Sequence, residues 1–300
     1  MLAWGYNFVA LKLLYAEVSP AAAALMRHVI MYLLLVAVAH SWLSKGNPEL
    51  RKVNWLWGGW RIAWFGILSM GIYMILFLEA VNRTSAAEGA ILIATAPLFT
   101  TLFAVIARQE AFSPRVLVGA LVAFSGVALV VFAGDEIRFD HLIGNGLMLA
   151  SAVGWALGAV VSRPLVRTKP AIVVLTQSMP AALAVLIPYA LTATLAAPWL
   201  TLSSTSYWAF AHFTIIAGAL GFVGFFYGVQ KIGASGAMYY QFCVAPVATL
   251  FAWIFLKDTL RPLQIIGMGV VLLGVVLATV ARTRAAAENE VTPLDCPAEA

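Results

Sequence analysis

Charge is what this sequence has least of. Only 10% of its 300 residues are Asp, Glu, Lys or Arg, against roughly a quarter in an ordinary soluble domain, and so little charge cannot clothe a water-facing surface of this size. Cysteine is nearly missing as well: Cys243 sits inside an apolar run and Cys296 in a polar end segment. That pair builds no disulfide framework, zinc spacing or haem motif. Four histidines, His28, His40, His141 and His212, are scattered with no HxxxH pair. A membrane-embedded enzyme, the competing class, needs clustered His, Asp or Glu for metal or acid–base chemistry. The chain also lacks a P-loop, which argues against ATP-driven pumping. It lacks the charged rings an ion channel arranges around a shared axis. Met1 to Asn7 offers neither the basic start nor the small-residue cleavage site of a secretory leader. No cofactor and no metal site is expected.

What fills the space is apolar. Hydrophobic residues make up 63% of the chain and its mean hydropathy is +0.94. A bilayer core about 30 Å thick takes about 20 apolar residues per helical crossing, and such stretches follow one another almost end to end. Runs between charges and turn residues predict helices over 2–17, 19–41, 60–81, 84–107, 114–132, 142–162, 170–193, 206–230, 233–256 and 262–281. The first is short for a full crossing; either a few native residues precede it or it tilts into the bundle.

The net charge of +5 does not point to nucleic acid, because the basic residues lie between apolar runs rather than along one face. With the N-terminus inside, one set of loops collects Lys45, Arg51, Lys52, Arg61, Arg108, Arg115, Arg163, Arg167, Lys169, Lys231, Arg282 and Arg284. The other set holds Arg83, Arg138, Lys257 and Arg261 beside the acidic Asp135, Glu136 and Asp140. Cytoplasmic loops hold the Lys and Arg excess, so both termini are expected in the cytoplasm of a multi-pass inner-membrane protein.

The chain also matches itself at an offset of about 148 residues. Val81-Asn82-Arg83 aligns with Val229-Gln230-Lys231, Ala96-Pro97 with Ala245-Pro246 after one gap, Glu110 with Asp258, Pro114 with Pro262, Gly119 with Gly267 and Gly126 with Gly274. Near the repeat starts, Trp4 to Lys12 matches Trp155 to Arg163. Five helices per copy is odd, so the second copy enters the membrane upside down. The expected domains are a first repeat over 1–133, an inverted second repeat over 141–282 and a polar cytoplasmic tail over 283–300. Two inverted copies suit alternating access, because they can exchange conformations at little energetic difference.

At Trp4-Gly5-Tyr6-Asn7-Phe8-Val9-Ala10-Leu11-Lys12, Ser19-Pro20 with Arg27, and the paired stretches Ala96-Pro97 to Gly119 and Ala245-Pro246 to Gly267, the chain resembles the EamA-type ten-helix exporters of the drug/metabolite transporter superfamily. Amino-acid exporters of the YddG type are among them. The resemblance covers nearly the whole chain and implies an all-α membrane bundle with a central cavity between helices 1, 3, 4, 6, 8 and 9, and with helices 5 and 10 at the periphery. It implies export of amino acids, or else of drugs, nucleosides or other metabolites.

Charges inside a bilayer cost about 2.5–3.5 kcal/mol each on insertion scales, so Lys12, Arg27, Glu79 and Glu88 are expected either to form an intramembrane network or to snorkel and brace locally. Glu88 is also a candidate for a substrate amine or a coupling proton, with Thr95 and Phe99 recurring near its face. Pro97 and Pro246 each remove a backbone donor in mid-membrane and are expected hinges, or simple packing kinks. Candidate cavity residues are Asn7, Tyr73, Phe77, Glu88, Thr95, Trp155, Tyr227, Tyr239, Tyr240 and Gln241, which would give an apolar or aromatic substrate ring contacts and a few fixed polar groups. Trp42, Trp55, Trp57, Trp60, Trp199 and Trp208 read as interfacial belt residues. Glu110 and Asp258 are expected to cap helix starts, and Gly119, Gly126, Gly267, Gly269 and Gly274 to pack helices 5 and 10, in a monomer or at a homodimer contact.

Overall fold

A computed structural model describes residues 1–41, 43–81, 83–84, 86–133, 142–257 and 259–291, and within them not the side chains at 8, 81, 86–88, 256 and 285–291. Trp42, Asn82, Asp135, Glu136, Arg138, Asp140, His141, Asp258 and Cys296, and the side chain of Glu88, lie outside that description.

The described residues form ten helical segments. These are α1 (Leu2–Leu14), α2 (Pro20–Ser41), α3 (60–81), α4 (86–106), α5 (Pro114–Phe132), α6 (Leu142–Thr168), α7 (Ala171–Ala196), α8 (204–232), α9 (234–256) and α10 (Pro262–Val291). Helix α8 runs into α9 with no loop, but Gly233 at φ 75° and ψ 172° breaks the rod between them. Only glycine adopts that backbone without strain. Two predicted ends move outward. Pro164 sits inside α6, which continues to Thr168, and α10 continues to Val291. The beginning of the expected polar tail is therefore helical, as its Ala-Ala-Ala-Glu composition favours.

Loop-to-loop bonds sort the ends of the helices into two faces. On one, Gln177 Nε2 donates to the Asn54 carbonyl (2.6 Å) and Arg163 donates to the Gln109 carbonyl (2.6 Å). On the other, Ser203 donates to Glu17, Thr84 to Asn145, and Arg261 to the Ala133 carbonyl. Each helix joins one face to the other, so the chain crosses ten times.

Symmetry between the halves is visible at atomic level. Gly119 lies against Ala278 and Gly267 against Val130, while Gly126 lies against Val271 and Gly274 against Ala123. Partners descend along α10 as they ascend along α5, so these equivalent helices run antiparallel. Shifting the first pair of each set by the repeat offset gives the second. The α5–α10 seam is therefore symmetric in its contacts. Further, the π-helical turn Ile67–Ile72 in α3 is matched by the one at His212–Leu220 in α8. Among the described residues, the two non-glycine ones with positive φ, Arg108 and Lys257, end α4 and α9 at the separation that relates Pro97 to Pro246. Glycines at the α5–α10 contact bring the two backbones together within one chain.

The largest core cluster gathers Met31, Phe65, Met179, Phe226 and Met238, all buried. It lies between the membrane midplane and the face where α4 ends.

Candidate functional site

A cavity of about 840 Å³ opens from the other face, walled by α1, α2, α3, α4, α5, α6, α8, α9 and the start of α10. Its mouth lies by Thr84, Leu260, Arg261 and Gln264, and its floor is aromatic. Trp155, from the middle of α6, is the centre of that floor. Its ring lies 5.2 Å from Tyr73, 5.1 Å from Phe225 and 6.3 Å from Trp4, in the edge and offset geometries aromatic quadrupoles favour. Two polar contacts fix the rings. Trp155 Nε1 donates to Gln241 Oε1 (3.0 Å), and Trp4 Nε1 donates to the Ala217 carbonyl (2.8 Å). The second contact lands in the π-helical turn of α8, where the widened backbone leaves a carbonyl free for a side chain.

Below this floor the path is shut. Phe225 stacks on Trp155, Phe222 and Phe226 meet it edge to face, and Phe226 meets Phe65 in the same way. Beyond them Glu110 Oε1 meets Arg163 at 3.5 Å and Arg282 at 3.2 Å. This ion cluster packs on Gly233, where a Cβ would stand 2.6 Å from Glu110 Oε1 and 2.7 Å from Arg282. Glu110 therefore does not cap the start of α5; it joins α4, α6 and α10 at the closed face. Ser113 holds the N-cap position of α5, with no side-chain capping bond.

Of the sequence candidates, Asn7, Tyr73, Phe77, Trp155 and Gln241 share the cavity wall, together with Pro97 and Arg27. Others turn away. Tyr239 is buried, its hydroxyl 2.7 Å from that of Thr101, and the Thr95 hydroxyl donates to the Leu92 carbonyl (2.6 Å). Tyr227 is 53% exposed with the Lys231 ammonium over its ring, and Tyr240 is 40% exposed. Residues 239, 240 and 241 project on different sides of one helix, so only Gln241 reaches the wall. Pro246 is buried outside the wall. Both prolines follow a local break, the turn at Ala94–Thr95 in α4 and the 3-10 turn Tyr240–Cys243 in α9.

The charges Lys12, Arg27 and Glu79 do not form one network. Glu79 pairs with Arg83 (2.8 Å) and accepts from Tyr189 (2.8 Å), while Lys12 is exposed. Arg27, about two turns into α2, is buried with its guanidinium over the rings of Phe213 (4.1 Å) and Phe222 (5.2 Å). Sequence reasoning missed Phe213, Thr249 and Trp253 on the wall. Phe213 carried a usable signal, since it aligns with Phe65 at the repeat offset. Among the described residues no three His, Cys, Asp or Glu side chains gather as a metal site would require.

The family described as "EamA-like transporter family" matches residues 1–132 and 142–280. A "Probable terminal-alkyne amino-acid exporter" of Streptantibioticus cattleyicolor is 26% identical over 280 residues, covering 92% of this chain and 90% of that protein. An "Uncharacterized transporter" of Archaeoglobus fulgidus is 25% identical over 287 residues, covering 93% and 94%. One solved structure, described only as "Crystal structure of protein", superposes with a TM-score of 0.78 at 20% identity over 94% of this chain and 95% of that one.

Proposed function

Since the chain belongs to the EamA-like transporter family and is thus a multi-pass membrane transporter and not an enzyme, we propose that it exports amino acids with apolar or aromatic side chains. The cavity supports this reading most directly: it is open at one face, sealed at the other, and floored by rings with a few fixed polar groups. Such a site offers ring contact for an apolar side chain and directed polar contacts for its backbone end. The amino-acid exporter of S. cattleyicolor, similar over most of its length, supports the same cargo class.

On the charge distribution of the loops the sealed face is cytoplasmic, both termini lie there, and the conformation is outward-open. Cargo enters when the Glu110 cluster parts and the opposite mouth closes, an exchange that the inverted halves make nearly isoenergetic. Purified protein in liposomes loaded with a panel of labelled amino acids, with and without a pH gradient, tests the proposal. Flux of phenylalanine, tryptophan or leucine above empty liposomes is expected. Absence of flux for the whole panel, with nucleosides or cationic drugs moving instead, overturns the amino-acid cargo.

A further inference from the structure

We infer that Arg27 is the anchor for an anionic group of the cargo, so that transported compounds carry a carboxylate; this rests on the export reading above and names the chemistry its cavity selects. A guanidinium stays protonated in any protein environment. Arg27 is only 5% exposed and lies on the cavity wall, within an apolar bundle where a lone cation is strongly disfavoured. Among the described residues no carboxylate comes within ion-pair distance. Glu79 is held by Arg83 and Tyr189, Glu17 by Ser203 and Ser206, and Glu110 stands at the sealed face.

A cation serving as a brace spends its donors on neighbouring carbonyls or carboxylates. Arg27 does not: its Nε is buried with no hydrogen-bond partner. The rings of Phe213 and Phe222 attract the charge from their faces, which lessens the cost of burial but offers no acceptor. Arg27 thus stands, with donors unspent, on the wall of a cavity whose floor fits an apolar side chain. Asn7 Oδ1, on the same wall, is likewise buried without a partner, an acceptor left over for an ammonium. Carboxylate, ammonium and ring together are the parts of an aromatic or apolar α-amino acid.

Calorimetric titration of the full purified chain with three matched compounds tests this: phenylalanine, hydrocinnamate, which keeps only the carboxylate, and phenethylamine, which keeps only the amine. Phenylalanine and hydrocinnamate are expected to bind and phenethylamine to fail. Arg27→Gln should weaken both acids by roughly 10- to 100-fold, the range of a charge-assisted hydrogen bond. Arg27→Lys should keep the preference for acids at lower affinity, and serves if Arg27→Gln does not fold. Equal binding of amine and acid, binding of none of the three, or wild-type acid affinity in a folded Arg27→Gln protein would each overturn the anchor. Acid binding through Arg27 without amino-acid flux in liposomes would instead keep the anchor and overturn the cargo.

Discussion

Glu17 shows how much one exposed carboxylate can organise outside the membrane. It lies in the turn after α1 and accepts from the Ser203 hydroxyl (2.5 Å), the Ser203 backbone N–H (2.9 Å) and the Ser206 hydroxyl (2.7 Å). Ser203 is also the N-cap of α8, accepting from Ser206 N–H. These bonds, the Ser203 hydroxyl first, hold the Glu17 carboxyl below its ordinary value. A depressed folded value adds stability above the unfolded pKa of about 4.3, lost as pH falls through the lower folded value. Thermal unfolding in detergent should therefore show Glu17→Gln less stable than the wild type at neutral pH, with the gap closing on acidification. A gap unchanged down to pH ~3 would contradict this role. None of these contacts is readable from sequence, because Glu17 and Ser203 are brought together only by the docking of α1 on α8. The same limit explains the tyrosines: composition marks Tyr227, Tyr239 and Tyr240 as polar groups needing company, but Lys231, Thr101 and the surface supply it away from the cavity.

At the scale of helices, the α5–α10 contact is fixed by backbone proximity rather than by side-chain bonds. A Cβ on Gly119 would stand 2.4 Å from Ala278 N, and one on Gly274 2.2 Å from Ala123 N, so even alanine must push the helices apart. Gly119→Ala and Gly274→Ala should each cost roughly 1–3 kcal/mol as overpacking does. Gly269→Ala, with nothing within 4 Å, should be neutral or slightly stabilising. Denaturation midpoints of the three variants check the contrast, and equal midpoints would refute it. This contact was legible beforehand for Gly119, Gly126, Gly267 and Gly274, which the repeat put at matching positions and which close packing uses in a bilayer, but not for Gly269, which faces open space. The breaks in α3, α4, α8 and α9 were legible only where proline announced them. The π-helical turns carry no residue signature, being an extra residue accommodated by packing.

At its closed face the molecule carries, beyond the aromatic layers, the Glu110 carboxylate between the guanidiniums of Arg163 and Arg282. Replacing Glu110 by Gln leaves Arg163 and Arg282 repelling one another, so the closed face should open more often. A reporter cysteine at the buried Val229, in a background with Cys243→Ala and Cys296→Ala, should then react faster with a membrane-impermeant maleimide added from that side. Reaction at the wild-type rate would show that the aromatic layers alone keep the face shut. Ten crossings could be read from hydropathy and loop charge and the pairing of α5 with α10 from self-similarity, whereas the peripheral place that the family resemblance implies for these two helices is not what the cavity shows, since Val127, Val130 and Val131 of α5 and Gln264 of α10 line it. The wall of the cavity could not, because a residue's side of a helix depends on kinks that hydropathy does not register.

The antiparallel seam of α5 and α10 has a consequence for ancestry. Because each contact maps onto its own counterpart, a chain of half this length would carry a surface complementary to a second copy of itself inserted the other way up. Two such short chains would have to enter the membrane in both directions in equal numbers to assemble. Joined end to end through residues 133–142, each molecule carries its opposite orientation with it, and each half is then free to drift on its own, as Arg27 on one side and Gln241 on the other have done.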